Sequence, residues 1–122
     1  MTYFVNIEKE TINNNYYRKV LNTTKTQQLV LMSLKPGEFI EIEKHKDTTQ
    51  FIRIEAGIGF VEIGKIQKKK IKIKNNSVVI IKPNTWHYVK NTSKIEDLKL
   101  YTIYSPPEHS SNKIDIRQPI LK

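Results

Sequence analysis

The chain has 122 residues, no cysteine and a formal net charge of +9. One domain of this length can bury its own core, and the missing thiols exclude disulfides, thiolate zinc sites and a cysteine nucleophile. The charge is carried mostly by lysine, with arginine only at Arg18, Arg53 and Arg117, so specific nucleic-acid recognition, which favours arginine, is not expected.

Residues 1–17 are polar, end in Asn13-Asn14-Asn15, and read as an N-terminal arm or a first strand. The run QLVLMSL (28–34) is strand-like, and Lys35-Pro36-Gly37-Glu38 reads as a turn. FIEIEKH alternates, with Ile40, Ile42 and Lys44 on one face and Glu41, Glu43 and His45 on the other. After the loop KDTT, QFIRIEAG alternates again and sets Gln50, Ile52 and Ile54 against Phe51, Arg53 and Glu55. GFVEIG is a short strand, and KKKIKIKNN is a hairpin with lysines on its solvated face. SVVII reads as a buried strand. WHYVKN puts Trp86 and Tyr88 on one face and His87 and Val89 on the other. LKLYTIYSPP is a further strand stopped by Pro106-Pro107; either Leu98, Leu100, Thr102 and Tyr104 or Lys99, Tyr101 and Ile103 point inward. Residues 108–122 form a polar, loosely held tail in which His109 is expected to be solvent-exposed. No helical period is sustained. Short strands separated by Gly, Pro and Asn turns give an all-β fold, an antiparallel sandwich or a jelly-roll barrel of about eight strands.

Side chains able to bind a metal concentrate in EIEKHKDTTQ, at Glu41, Glu43, His45 and Gln50. A further ligand has to come from a later strand, and His87 is the candidate. A lone strand histidine is also a common satisfied core residue.

The spacing of these residues resembles the cupin family of small jelly-roll barrels. The first cupin motif, G-x5-H-x-H-x3,4-E-x6-G, is matched in its gaps by Gly37, Glu43, His45, Gln50 and Gly57. The second, G-x5-P-x-G-x2-H-x3-N, is met at His87 and Asn91, with Asn76, Lys82 and Asn84 in place of its glycine, proline and glycine, and Pro83 shifted by one. The resemblance runs from about Leu29 to Pro107 and implies a single cupin-type β-barrel over 18–107. It implies a metal set of Glu43, His45, Gln50 and His87, in which glutamate replaces the usual first histidine and glutamine the usual glutamate. Glu41 is expected toward the barrel mouth or solvent. Two histidines and one carboxylate suit Mn, Fe, Ni or Zn.

QLVLMSLKPGE and LKLYTIYSPP resemble a branch of small cupins labelled mannose-6-phosphate isomerase-like. That branch implies a small-molecule ligand, a sugar or sugar phosphate, and an isomerase. A dioxygenase, a non-catalytic binding or sensing domain, and a scaffold acting through its basic surface are the other readings. Small cupins of this kind are commonly homodimers. The N-terminus MTYFVNIEKE has no basic lead or long apolar run, and no stretch approaches the roughly 20 apolar residues of a membrane span, so a cytoplasmic location is expected.

Overall fold

A computed structural model describes residues 2–120. The elements in chain order are α1 (Ile7–Asn13), β1 (Arg18–Thr23), β2 (Gln28–Leu34), β3 (Phe39–Glu43), β4 (Thr49–Ala56), β5 (Ile58–Ile63), β6 (Lys69–Lys74), β7 (Val78–Ile81), β8 (His87–Asn91), β9 (Leu98–Ser105) and β10 (Ile114–Asp115). They form a six-stranded sheet, β10-β1-β2-β9-β4-β7, and a four-stranded sheet, β3-β8-β5-β6. The pairings are antiparallel. This is the expected all-β cupin jelly roll.

The core lies between the sheets. Val30, Met32, Leu34, Ile52, Ile54, Leu98 and Leu100 come from one sheet, and Ile40, Val61, Ile73 and Val89 from the other. Burying each such side chain contributes roughly 1.5–3 kcal/mol. Burial settles the register of β9, because Leu98, Leu100, Thr102 and Tyr104 are the inward set. Two motif glycines serve turns. Gly37 has φ +79° in the turn closed by Glu38 N–H donating to Lys35 O, and Gly57 has φ +105° where a Cβ would lie 2.6 Å from Asp97 O.

Three expectations change. The N-terminal segment contains neither a loose arm nor a strand at 7–13 but the short helix α1, capped by Asn6, whose Oδ1 accepts from Lys9 N–H. It packs on β2, β4 and β9 and buries Thr11. SVVII is not a fully buried strand. As β7 it is the edge of the six-stranded sheet, paired with β4, with Val79 and Ile81 inward while Ile80 is 63% exposed. The tail is not loose. Asp115 of β10 lies 2.5 Å from the Arg18 guanidinium, and Gln118 Oε1 accepts from Phe39 N–H at 2.7 Å. Residues 121–122 of the tail, and Met1 of the arm, lie outside the described residues.

Candidate metal centre

Glu43 reaches the interior through a defect in β3. Ile40 pairs with Val89 and Glu43 with His87, so three steps on β3 oppose two on β8. That bulge places Ile40 and Glu43 on the same inner face, although strict alternation separates them. The bulge also disposes of Glu41, which is exposed. His45 follows in the β3–β4 turn, where Asn84 N–H donates to its carbonyl oxygen at 2.7 Å. His87 opens β8 and is 1% exposed; His45 is 8% exposed.

The side chains converge. Glu43 Oε1 lies 3.2 Å from His45 Nε2 and 3.4 Å from His87 Nε2. One ligand atom from each of the three residues falls within 4.8 Å of the others. The carboxylate is close to both rings but not aligned with their N–H directions, and among the described residues neither buried Nε2 atom has a hydrogen-bond partner. His87 Nδ1 sits 2.9 Å from Thr85 O. A carbonyl can only accept, so Nδ1 carries a proton, and in the neutral ring Nε2 keeps its lone pair. His45 Nδ1 is held by the Glu108 carboxylate at 2.6 Å.

Gln50, fully buried on β4, is one ring away. Its Nε2 donates to Thr102 Oγ1 at 3.0 Å and Tyr104 Oη at 3.3 Å, and the Tyr104 ring meets His45 edge-on at 5.5 Å. Among the described residues its buried Oε1 has no partner. Buried polar atoms are nearly always paired, so two orphaned imidazole nitrogens beside one carboxylate, with Gln50 Oε1 and His109 Nε2 also orphaned in residues that contact Tyr104, mark a place built for something else.

Electrostatics agree. Burial alone would raise the Glu43 carboxyl, but the His45 and His87 rings close beside it outweigh burial and hold it at about 2. For His45, burial opposes protonation, yet Glu43 and Glu108 together raise it above the ordinary value. The site therefore carries a firmly ionised carboxylate between two imidazoles. Two imidazole nitrogens and a carboxylate oxygen are a donor set that suits a divalent transition metal. Glu43, His45 and His87 can hold such an ion.

The structure adds two residues to those the sequence offers. His109, expected in solvent, is half-buried with its ring edge-on to Tyr104 at 5.2 Å, and burial with the nearby Arg18 charge lowers its pKa to about 4. Glu108 stands on His45. The only sequence signal for either was a carboxylate–histidine pair just past Pro106-Pro107; its relevance depends on where the end of β9 lies.

The cupin-domain family model matches residues 30–104. Protein L612 of Acanthamoeba polyphaga mimivirus is 47% identical over 117 residues, spanning 96% of this chain and 73% of that protein. YrkC of Bacillus subtilis is 43% identical over 111 residues, spanning 88% of this chain and 59% of YrkC, so the chain corresponds to little more than half of that relative. The crystal structure of BH2720 from Bacillus halodurans matches with a TM-score of 0.91 at 36% identity, over 96% of this chain and 90% of that one. With the family pattern covering most of the barrel and both halves of the site, the chain belongs to the cupin domain family.

Proposed function

We propose that this chain is a small metal-binding cupin that holds a divalent cation through Glu43, His45 and His87, with Gln50 as a fourth ligand, and takes a small molecule beside it. One observation carries the reading: two buried Nε2 atoms without hydrogen-bond partners converge on an ionised carboxylate. Among the described residues, Gln50 Oε1 is a further buried acceptor without a partner, and Thr102 and Tyr104 fix the other end of its amide. A cavity of about 190 Å³ lined by Tyr17, Arg18, Ile40 and Gln118 reaches Glu43, which supports a small ligand beside it.

A cation held there would supply Lewis-acid polarisation of a ligand oxygen. The protein's own part is to exclude water around the imidazoles and to keep Glu43 ionised. Resemblance to the isomerase-like branch supports a sugar or sugar phosphate as the ligand and isomerisation as the reaction. Non-catalytic binding is the second reading. It is favoured by Gln50, a weak neutral donor where the family pattern has a charged one. A second copy of the chain is the expected partner, which light scattering tests.

Metal analysis of the purified protein, with thermal melting in Mn²⁺, Fe²⁺, Ni²⁺ and Zn²⁺, tests the proposal. The expected result is a bound metal, or a rise in melting temperature with at least one ion, that disappears in His87→Ala. No metal and no shift with any of the four would overturn it.

A further inference from the structure

Beyond β9 the chain passes over the metal centre as a strap, and one buried side chain fixes its position. Gln28, at the start of β2, is 0% exposed. Its Nε2 donates to His109 O at 2.7 Å and to Thr23 Oγ1 at 3.0 Å. Its Oε1 accepts from Glu108 N–H at 3.2 Å and His109 N–H at 2.9 Å. A primary amide has two donor hydrogens and two lone pairs, so its capacity is filled. Three of the four bonds go to the backbone of the strap. That grip delivers the Glu108 carboxylate to His45 Nδ1 at 2.6 Å.

The result is a division of the His45 ring. One nitrogen is given to Glu108, and the other faces Glu43 and His87. His87 has the same arrangement, with Thr85 O as its Nδ1 partner. Partners of this kind fix the tautomer and orientation of a metal-binding imidazole. The two rings are nonetheless held differently. The His87 partner is a local backbone carbonyl two residues away, whereas the His45 partner lies 63 residues along the chain and depends on the clamp.

We propose that Glu108 is a positioning residue for the metal centre, and that Gln28 sets metal affinity from a distance by holding the strap that carries it. This rests on the metal-binding reading above. Among the described residues, Gln28 hydrogen-bonds to none of Glu43, His45 or His87, so a clamp serving only to tie down the tail would change stability and leave the His45 ring as it is.

Two measurements decide between these. In metal-free protein, at alkaline pH where the rings are neutral, ¹⁵N-edited spectra should show His45 as the Nδ1–H tautomer. Glu108→Ala and Gln28→Ala should convert it to a mixture. In Co²⁺ titrations followed by calorimetry and visible absorption, each variant should bind about 10–100-fold more weakly, with an altered cobalt spectrum. The Gln28→Ala/Glu108→Ala double variant should be no weaker than Glu108→Ala, because the clamp acts only through that carboxylate. Melting of the metal-free proteins establishes that each is folded. If Gln28→Ala does not fold, Gln28→Glu, which keeps the acceptor for both strap N–H groups, takes its place, with an affinity between wild type and Glu108→Ala.

An unchanged tautomer and unchanged Co²⁺ affinity in folded Glu108→Ala would overturn the inference. So would losses that multiply in the double variant. If the wild type takes up no Co²⁺ or other divalent ion, the metal reading falls, while the tautomer measurement still decides whether Glu108 orients His45.

Discussion

Two buried amides, Asn91 and Gln50, sit toward opposite ends of the barrel and are treated in opposite ways. Asn91 Nδ2 donates to Leu34 O at 2.9 Å and to Glu96 O at 2.8 Å, and its Oδ1 accepts from Ser93 N–H at 2.8 Å. Around it the interior is Leu34, Ile40, Ile54 and Leu98, apolar throughout. Among the described residues Gln50 has partners only through its nitrogen, and the Tyr104 that it bonds packs against the His45 and His109 rings, each with an unpaired buried nitrogen. Both amides belong to the motif pattern. The difference teaches that burial of a polar residue does not identify a site; what it leaves unsatisfied does. A satisfied amide holds loops together, and an unsatisfied one is available to a ligand.

The contrast can be broken by mutation. The largest stability effect is expected at the satisfied end. Asn91→Ala removes three hydrogen bonds and strands buried backbone groups, and should cost about 3 kcal/mol in urea unfolding while leaving divalent-metal affinity at the wild-type value. Gln50→Leu should shift the balance. It removes an unpaired acceptor along with two hydrogen bonds to hydroxyls that can turn to other partners, so it should cost less stability than Asn91→Ala, about 1–2 kcal/mol, whereas metal affinity measured by calorimetry should fall. Equal stability losses for both variants would dissolve the comparison.

A smaller effect is expected from His109, at the same end as Gln50. Burial and Arg18 depress its folded pKa to about 4 from an ordinary 6.5, so the unfolded chain binds the extra proton first. The stabilising contribution is therefore complete above about 6.5 and is lost as pH falls toward 4. His109→Gln should flatten the unfolding free energy over that window, and a slope equal to wild type would show that His109 titrates normally. The Glu43 carboxyl, held at about 2, acts in the same direction but below its ordinary 4.5, so the two windows overlap little. Smallest of all is Glu41→Ala. The β3 bulge turns this residue outward, so both stability and metal uptake should stay within about 0.5 kcal/mol of wild type.

Much of this was legible in the chain. Alternation along β4 and β8 placed Gln50 and His87 on inner faces, because a strand with one buried face repeats every two residues. The gaps between Gly37, Glu43, His45, Gln50 and Gly57 pointed to the site through their resemblance to the cupin motif, which spans two strands that the fold sends to different sheets. Three things were not legible. The β3 bulge inserts one residue without any local sign, yet it decides that Glu43 and Ile40 share a face while Glu41 leaves. The edge position of β7 depends on strand order, which an apolar run such as SVVII does not encode. Glu108, His109 and the Gln28 clamp depend on which strand end the tail crosses, across about 80 residues of chain. The sequence by itself determined the fold class and the spacing of the candidate metal-binding side chains, because strand periodicity and the order of residues are local properties of the chain. Only the tertiary structure decided which polar atoms remain unpaired and which distant carboxylate orients His45, because satisfaction of a buried group depends on everything packed around it.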